Sequence, residues 1–503
     1  MLAKPGPGRV GRLPILRRAV GRWAIFVCAL LWCATVPARA EESAKVLQVL
    51  NRLTYGPTPG DLERITAMGT AAFIASQLEP ERLDEPAALT EKLAGLPTES
   101  MDTVRLFREF GPKADTDGPP GPEAMRRVFD QAGAVALEAA KSRLYRAILS
   151  RRQLYELMVA FWSDHFNLGA KKGLATLWVG SFEHEAIRPH AMGRFLDLLS
   201  ATAMHPAMLI AFGNWKNVSP RHGVSAPGEG LDTSYAAIVL NNQTLGPGGP
   251  QKTGDVKALA RIFTGWRVGA ARDGAETGGF HFEPDLHDPT DKVLLGQPIK
   301  GSGVGEGAAA LRILAGHKVT AVTISRKLIQ YFLCDEPPPS LVKRLAETFT
   351  ATEGDIREVL RALFTSAEFF DPKYMGNRFK RPLRQVVSTV RALGGVPRDT
   401  AALVGALDGL GQPLYEAGSA DGHPILTATW LKPENVARRV ALAGDIVSGR
   451  LPVLGPKPVG LSVQGLAGTL GPAVSASTRQ AAAKAPERLG PAVLLGSPDF
   501  MRY

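Results

Sequence analysis

The stretch Asp255-Val256-Lys257-Ala258-Leu259-Ala260-Arg261-Ile262-Phe263-Thr264-Gly265-Trp266 sets Val256, Leu259, Ala260 and Phe263 at spacings i, i+3, i+4 and i+7. At 3.6 residues per turn these side chains share one face, which predicts an amphipathic helix laid on a core, with Thr253 available as its cap. Ile356, Leu360, Leu363 and Phe364 repeat the pattern behind Gly354-Asp355, and Val319 to Leu333 continues it. Strand signals are sparse. The expected fold is therefore mainly α, a large multi-helix body over residues 41–450. Three regions interrupt it. Residues 112–121 read as a polar loop, and residues 213–254, rich in Gly, Pro, Ser and Asn, read as a connection too long to be ordinary. The third, Gly278 to Lys300, contains Phe280-His281-Phe282 and Val293-Leu294-Leu295, short runs suited to a small β-hairpin. From residue 451 to 503 the composition turns to Gly, Pro and Ala, which predicts a C-terminal tail or cover segment ending in the apolar run Ala492 to Phe500.

Several stretches, in this order, carry a family likeness. They are Leu50-Asn51-Arg52-Leu53-Thr54-Tyr55-Gly56-Pro57-Thr58, Phe161-Trp162-Ser163-Asp164-His165-Phe166, Ile187-Arg188-Pro189-His190-Ala191-Met192-Gly193-Arg194-Phe195, His205-Pro206-Ala207-Met208-Leu209, Asp255-Val256 to Trp266, His287-Asp288, Phe332 to Pro337, Gly354-Asp355-Ile356-Arg357 and Lys380-Arg381-Pro382. On these the chain resembles the large bacterial proteins grouped as domain of unknown function 1800. The resemblance implies a predominantly helical exported protein, in a family often encoded beside a second exported protein, which becomes the implied partner. It implies no particular reaction. Two segments depart from the family pattern. Where relatives carry an Asn-Glu-Asn-aromatic-Ala-Arg-Glu-Leu run with a further Glu and a His, this chain reads Asp232-Thr233-Ser234-Tyr235-Ala236-Ala237-Ile238-Val239-Leu240-Asn241-Asn242-Gln243. Where relatives show Gly-Trp near the C-terminal end, it has Asp421-Gly422-His423. If the family's chemistry sits on the acidic helix, this member lacks it.

The first forty residues hold seven basic residues and no acid, around an apolar run from Trp23 to Val36 that stops at Ala38-Arg39-Ala40. That is a charged leader, an apolar segment too short to span about 30 Å of hydrocarbon, and a small-x-small cleavage site, so a signal peptide over residues 1–40 is expected. Cleavage before Glu41 leaves no transmembrane anchor and delivers the protein to the periplasm or beyond. Arg17-Arg18 lacks the polar and aromatic company of a twin-arginine signal, which points to the general secretory route. The net charge of +11 falls to +4 once the seven leader cations depart. A mature chain so weakly basic, its acids interspersed, gives no electrostatic case for nucleic acid. Cys334 is then the remaining cysteine, so no intramolecular disulfide can form and the core must hold the fold.

Imidazole and carboxylate are ligands that zinc, iron and manganese accept, and a site needs three or four converging from separate elements. Asp164, His165, Glu183, Glu185, His190, His205, His281, His287 and Asp288 are the pool, with His165, His190, His287 and Asp288 the leading set for a divalent metal. Each has a structural reading too: His165, one turn after Phe161, as a helix-face histidine bonding a carbonyl, and His190, after Pro189, as a cap or bridge. No H-E-x-x-H and no G-x-S-x-G occurs, and Gly246 to Thr253 fails as a phosphate loop because Gln251 replaces its glycine and Pro247 and Pro250 remove donors. Trp215, inside Gly213-Asn214-Trp215-Lys216-Asn217, is the tryptophan suited to touch a partner or glycan. The functional expectation is an exported, non-catalytic binding or assembly protein; the alternative is a metal-dependent hydrolase using the histidine and carboxylate set.

Overall fold

The structure, a computed structural model, describes residues 1–4, 6, 8, 41–113, 121–168, 173–221, 230–269, 278–454 and 461–503. The expected leader lies almost wholly outside them, as does most of the polar loop 112–121. The fold is mainly helical, and the β structure is limited to two small antiparallel ribbons among the described residues. No helix among them is long and apolar enough to cross a membrane.

The decisive stretch forms the helix Thr253–Ile262 with Ala258, Leu259, Ala260 and Ile262 buried. Thr253 is its first residue rather than its cap. Asp255 reaches back instead, its Oδ2 accepting from the Lys252 N–H at 2.7 Å. Its other oxygen accepts from Leu295 N–H at 2.7 Å, which pins the helix start to the β element. Strand β1 (Trp266–Val268) pairs with β2 (Phe280–Phe282), and β3 (Lys292–Leu294) with β4 (Gln297–Ile299). The small β element is thus present, but Phe280-His281-Phe282 takes the strand leaving the Trp266 helix as its partner, not Val293-Leu294-Leu295. The second ribbon closes on Leu295-Gly296, both in the left-handed region at φ 51° and 77°, the two-residue turn that suits the twist of a hairpin.

In the region 213–254, read from its composition as a connection too long to be ordinary, the described residues hold ordered elements. A short turn Asn214–Lys216, a helix Ser234–Ile238 and a π-helical turn Val239–Thr244 order much of what is described there. Tyr235, Ala236, Val239 and Leu240 are buried, so four apolar side chains outweigh the polar surroundings.

At the centre runs Pro382–Leu393, buried along nearly its whole length. Arg384 Nη1 donates to the carbonyls of Asn51 and Thr54, each at 2.7 Å. Arg391 donates to Gly56 and Ile148 carbonyls, both at 2.8 Å. Around this helix pack Pro122–Leu149, Ala401–Gly409 and Val463–Leu470, while Phe161, Tyr331, Phe332 and Phe364, from the helices Gln153–His165, Lys318–Phe332 and Ile356–Phe364, meet edge to face at 5.2 Å or closer. Residues from the C-terminal segment, including Leu466, Leu470, Leu494, Leu495 and Phe500, form a smaller cluster with Ala392 and Ala443 that closes over the end of the central helix.

Gly307 tests how tightly the ribbon and helices fit. A Cβ there would stand 2.1 Å from Trp266 Cζ2, in a fully buried ring. Gly307→Ala is expected to cost about 1–3 kcal/mol, read as a lower urea midpoint with an unchanged slope.

Candidate functional site

The helix Gln153–His165 ends against two π-helical turns, Phe182–Ile187 and Val239–Thr244. Such turns widen a helix by one residue and recur where side chains must be re-aimed. Here the first delivers Glu183 to one side of Asp164, and the second brings the Gln243 carbonyl onto His165.

Glu183 is the electrostatic hub. It accepts from Arg188 Nε at 3.1 Å and Nη2 at 2.8 Å and from the Tyr415 hydroxyl at 2.9 Å, and it lies 3.1 Å from Arg143 Nε. Arg188 also forks onto Glu156 through two bonds of 2.9 Å. Burial raises the Glu183 carboxyl, but Arg143, Arg188 and Tyr415 outweigh it and bring it to about 2. Tyr415 sits at φ 59°, a conformation that costs a bulky non-glycine residue of order 1–3 kcal/mol and persists only where its surroundings hold it. Glu183 and the Arg143 guanidinium, 4.9 Å over the Tyr415 ring, are those surroundings. Asp164, Glu183, Arg143, Tyr415 and His423 line a cavity of about 30 Å³, room for no more than a few waters. Asp164 is committed to Arg381 Nη2 at 2.5 Å.

The two segments that depart from the family pattern meet beside this cavity. Asn242 Nδ2 donates to Asp421 Oδ1 at 2.8 Å. Gly422, at φ 72°, lies so close to the Asp164 carbonyl that a Cβ would stand 2.2 Å from it. His423 turns its Nε2 to the Pro413 carbonyl at 2.9 Å.

Among the sequence candidates, His165 is buried with Nε2 facing the Gln243 carbonyl at 3.0 Å and Nδ1 facing Lys327 Nζ at 3.2 Å. Nε2 therefore carries the proton and Nδ1 accepts. Burial, then the Lys327 charge, hold this imidazole well below its usual range. His287 is buried, its Nδ1 on the Thr264 carbonyl at 2.9 Å and its Nε2 on Glu306 Oε1 at 3.0 Å, while Lys292 Nζ reaches Glu306 Oε2 at 2.5 Å. Asp288 Oδ2 accepts from Arg261 Nε at 2.7 Å and Oδ1 from the Thr290 hydroxyl at 2.6 Å. His190 is half-buried in the short turn Arg188–His190. His281 is half-buried on β2, 3.5 Å from Glu283. Trp215 is half-buried against the main core with Lys216 Nζ over its ring at 4.9 Å. Among the described residues, no three histidines, cysteines, aspartates or glutamates stand together as metal ligands would.

Glu185 and His205 do come together, on the floor of an open cleft of about 620 Å³. Asp102 caps the helix Thr103–Phe110 there. Glu185 accepts from Thr103 N–H at 2.8 Å and from its hydroxyl at 3.0 Å. His205 Nδ1 accepts from Ala207 N–H at 3.2 Å, which leaves the proton on Nε2, 3.1 Å from the Thr103 hydroxyl oxygen. In that tautomer His205 cannot take the threonine proton, so the trio is not poised as nucleophile and base. The exposed side chains of Arg105 and Arg108, with Met204 and Phe280, complete a wall of mixed charge and apolar surface. Thr103, Arg143, Lys327 and Tyr415 carried no local sequence signal, whereas Arg188 and Arg381 fell within family stretches.

The family model described as Protein of unknown function (DUF1800) matches residues 48–502. No curated protein and no solved structure matches the chain.

Two outcomes follow from this geometry. His165 and His205 both have folded-state values below the free imidazole's, chiefly through burial, so below about pH 6.5 the unfolded chain binds protons that the native chain refuses. Stability is then full above that value and falls as pH drops through it, before the carboxylates titrate. Thermal unfolding between pH 7.5 and 5.5 should show this loss, and His165→Gln should flatten it. Glu183→Gln strips the counter-charge from Arg143 and Arg188, and should cost about 3–5 kcal/mol in urea unfolding.

Proposed function

We infer, for a chain that belongs to the family of proteins of unknown function DUF1800, an exported, non-catalytic binding or assembly protein whose ligand enters the cleft over Glu185 and His205. The observation that carries this reading is the contrast between committed and open chemistry. The candidate acids, bases and ligands in the interior are bonded to protein groups, whereas the cleft offers about 620 Å³ open to solvent. Its rim carries exposed Arg105 and Arg108, and its wall carries Met204 and Phe280. A polar rim around apolar surface suits a segment of a partner protein rather than a small reactive substrate. The partner that fits is an acidic or mixed-charge stretch of a second exported protein. The leader-like segment before Glu41 supports export to the periplasm or medium. A hydrolase using a divalent metal at His165, His190, His287 and Asp288 is the weaker reading, because three of the four side chains would have to leave protein partners to bind it.

The test uses mature protein recovered from its own host without a histidine tag. A photo-crosslinker placed at the cleft rim is expected to capture one exported partner, and the Arg105→Glu, Arg108→Glu double variant to lose it while retaining its unfolding midpoint. Stoichiometric zinc, iron or manganese by elemental mass spectrometry, lost in His287→Ala, would overturn the reading in favour of the hydrolase.

A further inference from the structure

A second, enclosed site lies on the other side of Arg381. The guanidinium groups of Arg52, Arg378, Arg381 and Arg384 are all buried, as are Tyr55, Tyr331 and Tyr503. Six of these seven residues, with Leu383, line a cavity of about 10 Å³; Arg52 stands behind Tyr503, 4.7 Å over its ring. Arg384 covers the same ring at 4.2 Å.

The charges around this cavity do not balance. Arg378 pairs with Asp335 and Arg381 with Asp164. Among the described residues Arg52 and Arg384 meet no carboxylate: Arg52 Nη2 donates to the Tyr374 carbonyl at 2.6 Å and Asn377 Oδ1 at 2.9 Å, and Arg384 to two main-chain carbonyls. Lys380, next in the chain, is buried against the Phe500 ring at 3.6 Å. Burial, then Arg384 and Arg439, push its amine well below the usual lysine range. Buried cations without counter-charge cost several kcal/mol each, on the order that destabilises a whole domain. Donors are also in excess. Among the described residues, Arg381 Nη1 and Arg378 Nε, both on cavity-lining side chains, find no acceptor at hydrogen-bonding geometry, nor do Nε and Nη1 of Arg52.

We propose that this arginine and tyrosine cage binds a single small anion of halide size, chloride in the protein's ordinary surroundings, between Arg378, Arg381 and Arg384. The size of the cavity selects the class. About 10 Å³ accommodates one water-sized or monatomic guest and excludes sulfate, phosphate and any nucleotide. The lining selects charge: guanidinium N–H groups supply directed donors, and the Tyr503 hydroxyl supplies another. Arg381 and Arg384 stand over the rings of Tyr331 and Tyr55 at 5.4 and 5.8 Å, which holds both guanidinium groups at the cavity wall. Tyr503 itself registers the local field. Burial raises its hydroxyl, yet the charges of Arg384, Arg378 and Arg52 prevail and bring it down to about 7.

A halide bound here would tie Arg378 and Arg381 to the central helix Pro382–Leu393 and to the strand-like pairing of Phe379 with Arg502. It would act as a structural ligand, separate from the open cleft, and its test does not depend on what the cleft binds.

Crystals of the wild-type chain grown in sodium bromide, with data collected at the bromine edge, are expected to show an anomalous peak among Arg378, Arg381 and Arg384. In solution, the unfolding midpoint should rise and saturate with chloride or bromide, but not with gluconate at the same ionic strength. Tyr503→Phe keeps the stacked ring and removes one donor. At about pH 6, where this hydroxyl still holds its proton, the change should raise the half-saturating bromide concentration roughly tenfold or more, the loss of one charge-assisted hydrogen bond. A bromide map with no peak in the cage, or midpoints that coincide in halide and gluconate, would overturn the proposal and assign the cage to water with Tyr503 as the counter-charge.

Discussion

The helix Pro382–Leu393 is buried on every side, and that constraint organises the rest of the molecule. A helix surrounded by protein satisfies its own main chain, but its polar side chains must find partners in the interior. Arg384 and Arg391 are long enough to do so by reaching outward to carbonyls at Asn51, Thr54, Gly56 and Ile148. Gln385 reaches the Leu495 carbonyl at 3.4 Å, and Tyr503 stacks on Arg384. Segments more than three hundred residues apart in sequence are therefore fixed to one element. Removing any of them would leave buried guanidinium groups unmet, at a cost of about 1–3 kcal/mol for each lost partner.

The same economy accounts for how ionisable groups are employed in the interior. Glu183 holds Arg143 and Arg188, Glu306 holds His287 and Lys292, and Asp288 holds Arg261. A catalytic group needs a depressed or raised proton affinity together with an open face towards substrate. Glu183 has the first, and its oxygens are spent on three neighbours. Tyr415 adds backbone strain at the same spot, yet the strain is held by Glu183 and Arg143 and orients a hydroxyl that is already bonded. Perturbed ionisation here reports a braced interior, while the solvent-facing opportunity lies in the cleft at Glu185.

Periodicity revealed the helices well because it is a local property. The faces at Val256 to Phe263 and Ile356 to Phe364 needed no partner to be read. Strand pairing is not local, so the short runs at Phe280 and Val293 indicated β structure while concealing that Phe280-His281-Phe282 joins the strand at Trp266. In the region 213–254, glycine and asparagine masked the ordered turns, since the π-helical geometry of Val239–Thr244 shifts the apolar spacing away from i, i+4. The candidate site was least legible. Glu183 and Tyr415 are 232 positions apart, Asp164 and Arg381 217, and His165 and Lys327 162, and a histidine's neighbours in sequence say nothing of whether a carbonyl or a lysine waits across the fold.

The two departures from the family pattern are physically linked. Lys327 lies beside the segment 232–243, where among the described residues it meets the His165 ring at 3.2 Å and the Asn242 carbonyl at 3.3 Å. Burial lowers its proton affinity, and the group that opposes this is Asp421. Asp421 belongs to the second departing segment and is held in place by Asn242, a residue of the first. The carboxylate that acts on Lys327 thus comes from 178 residues or more beyond the segment 232–243, and it stands at the surface rather than in the interior. An acid at the surface can still stabilise a nearby amine, because attraction across a partly buried gap survives at a few ångströms.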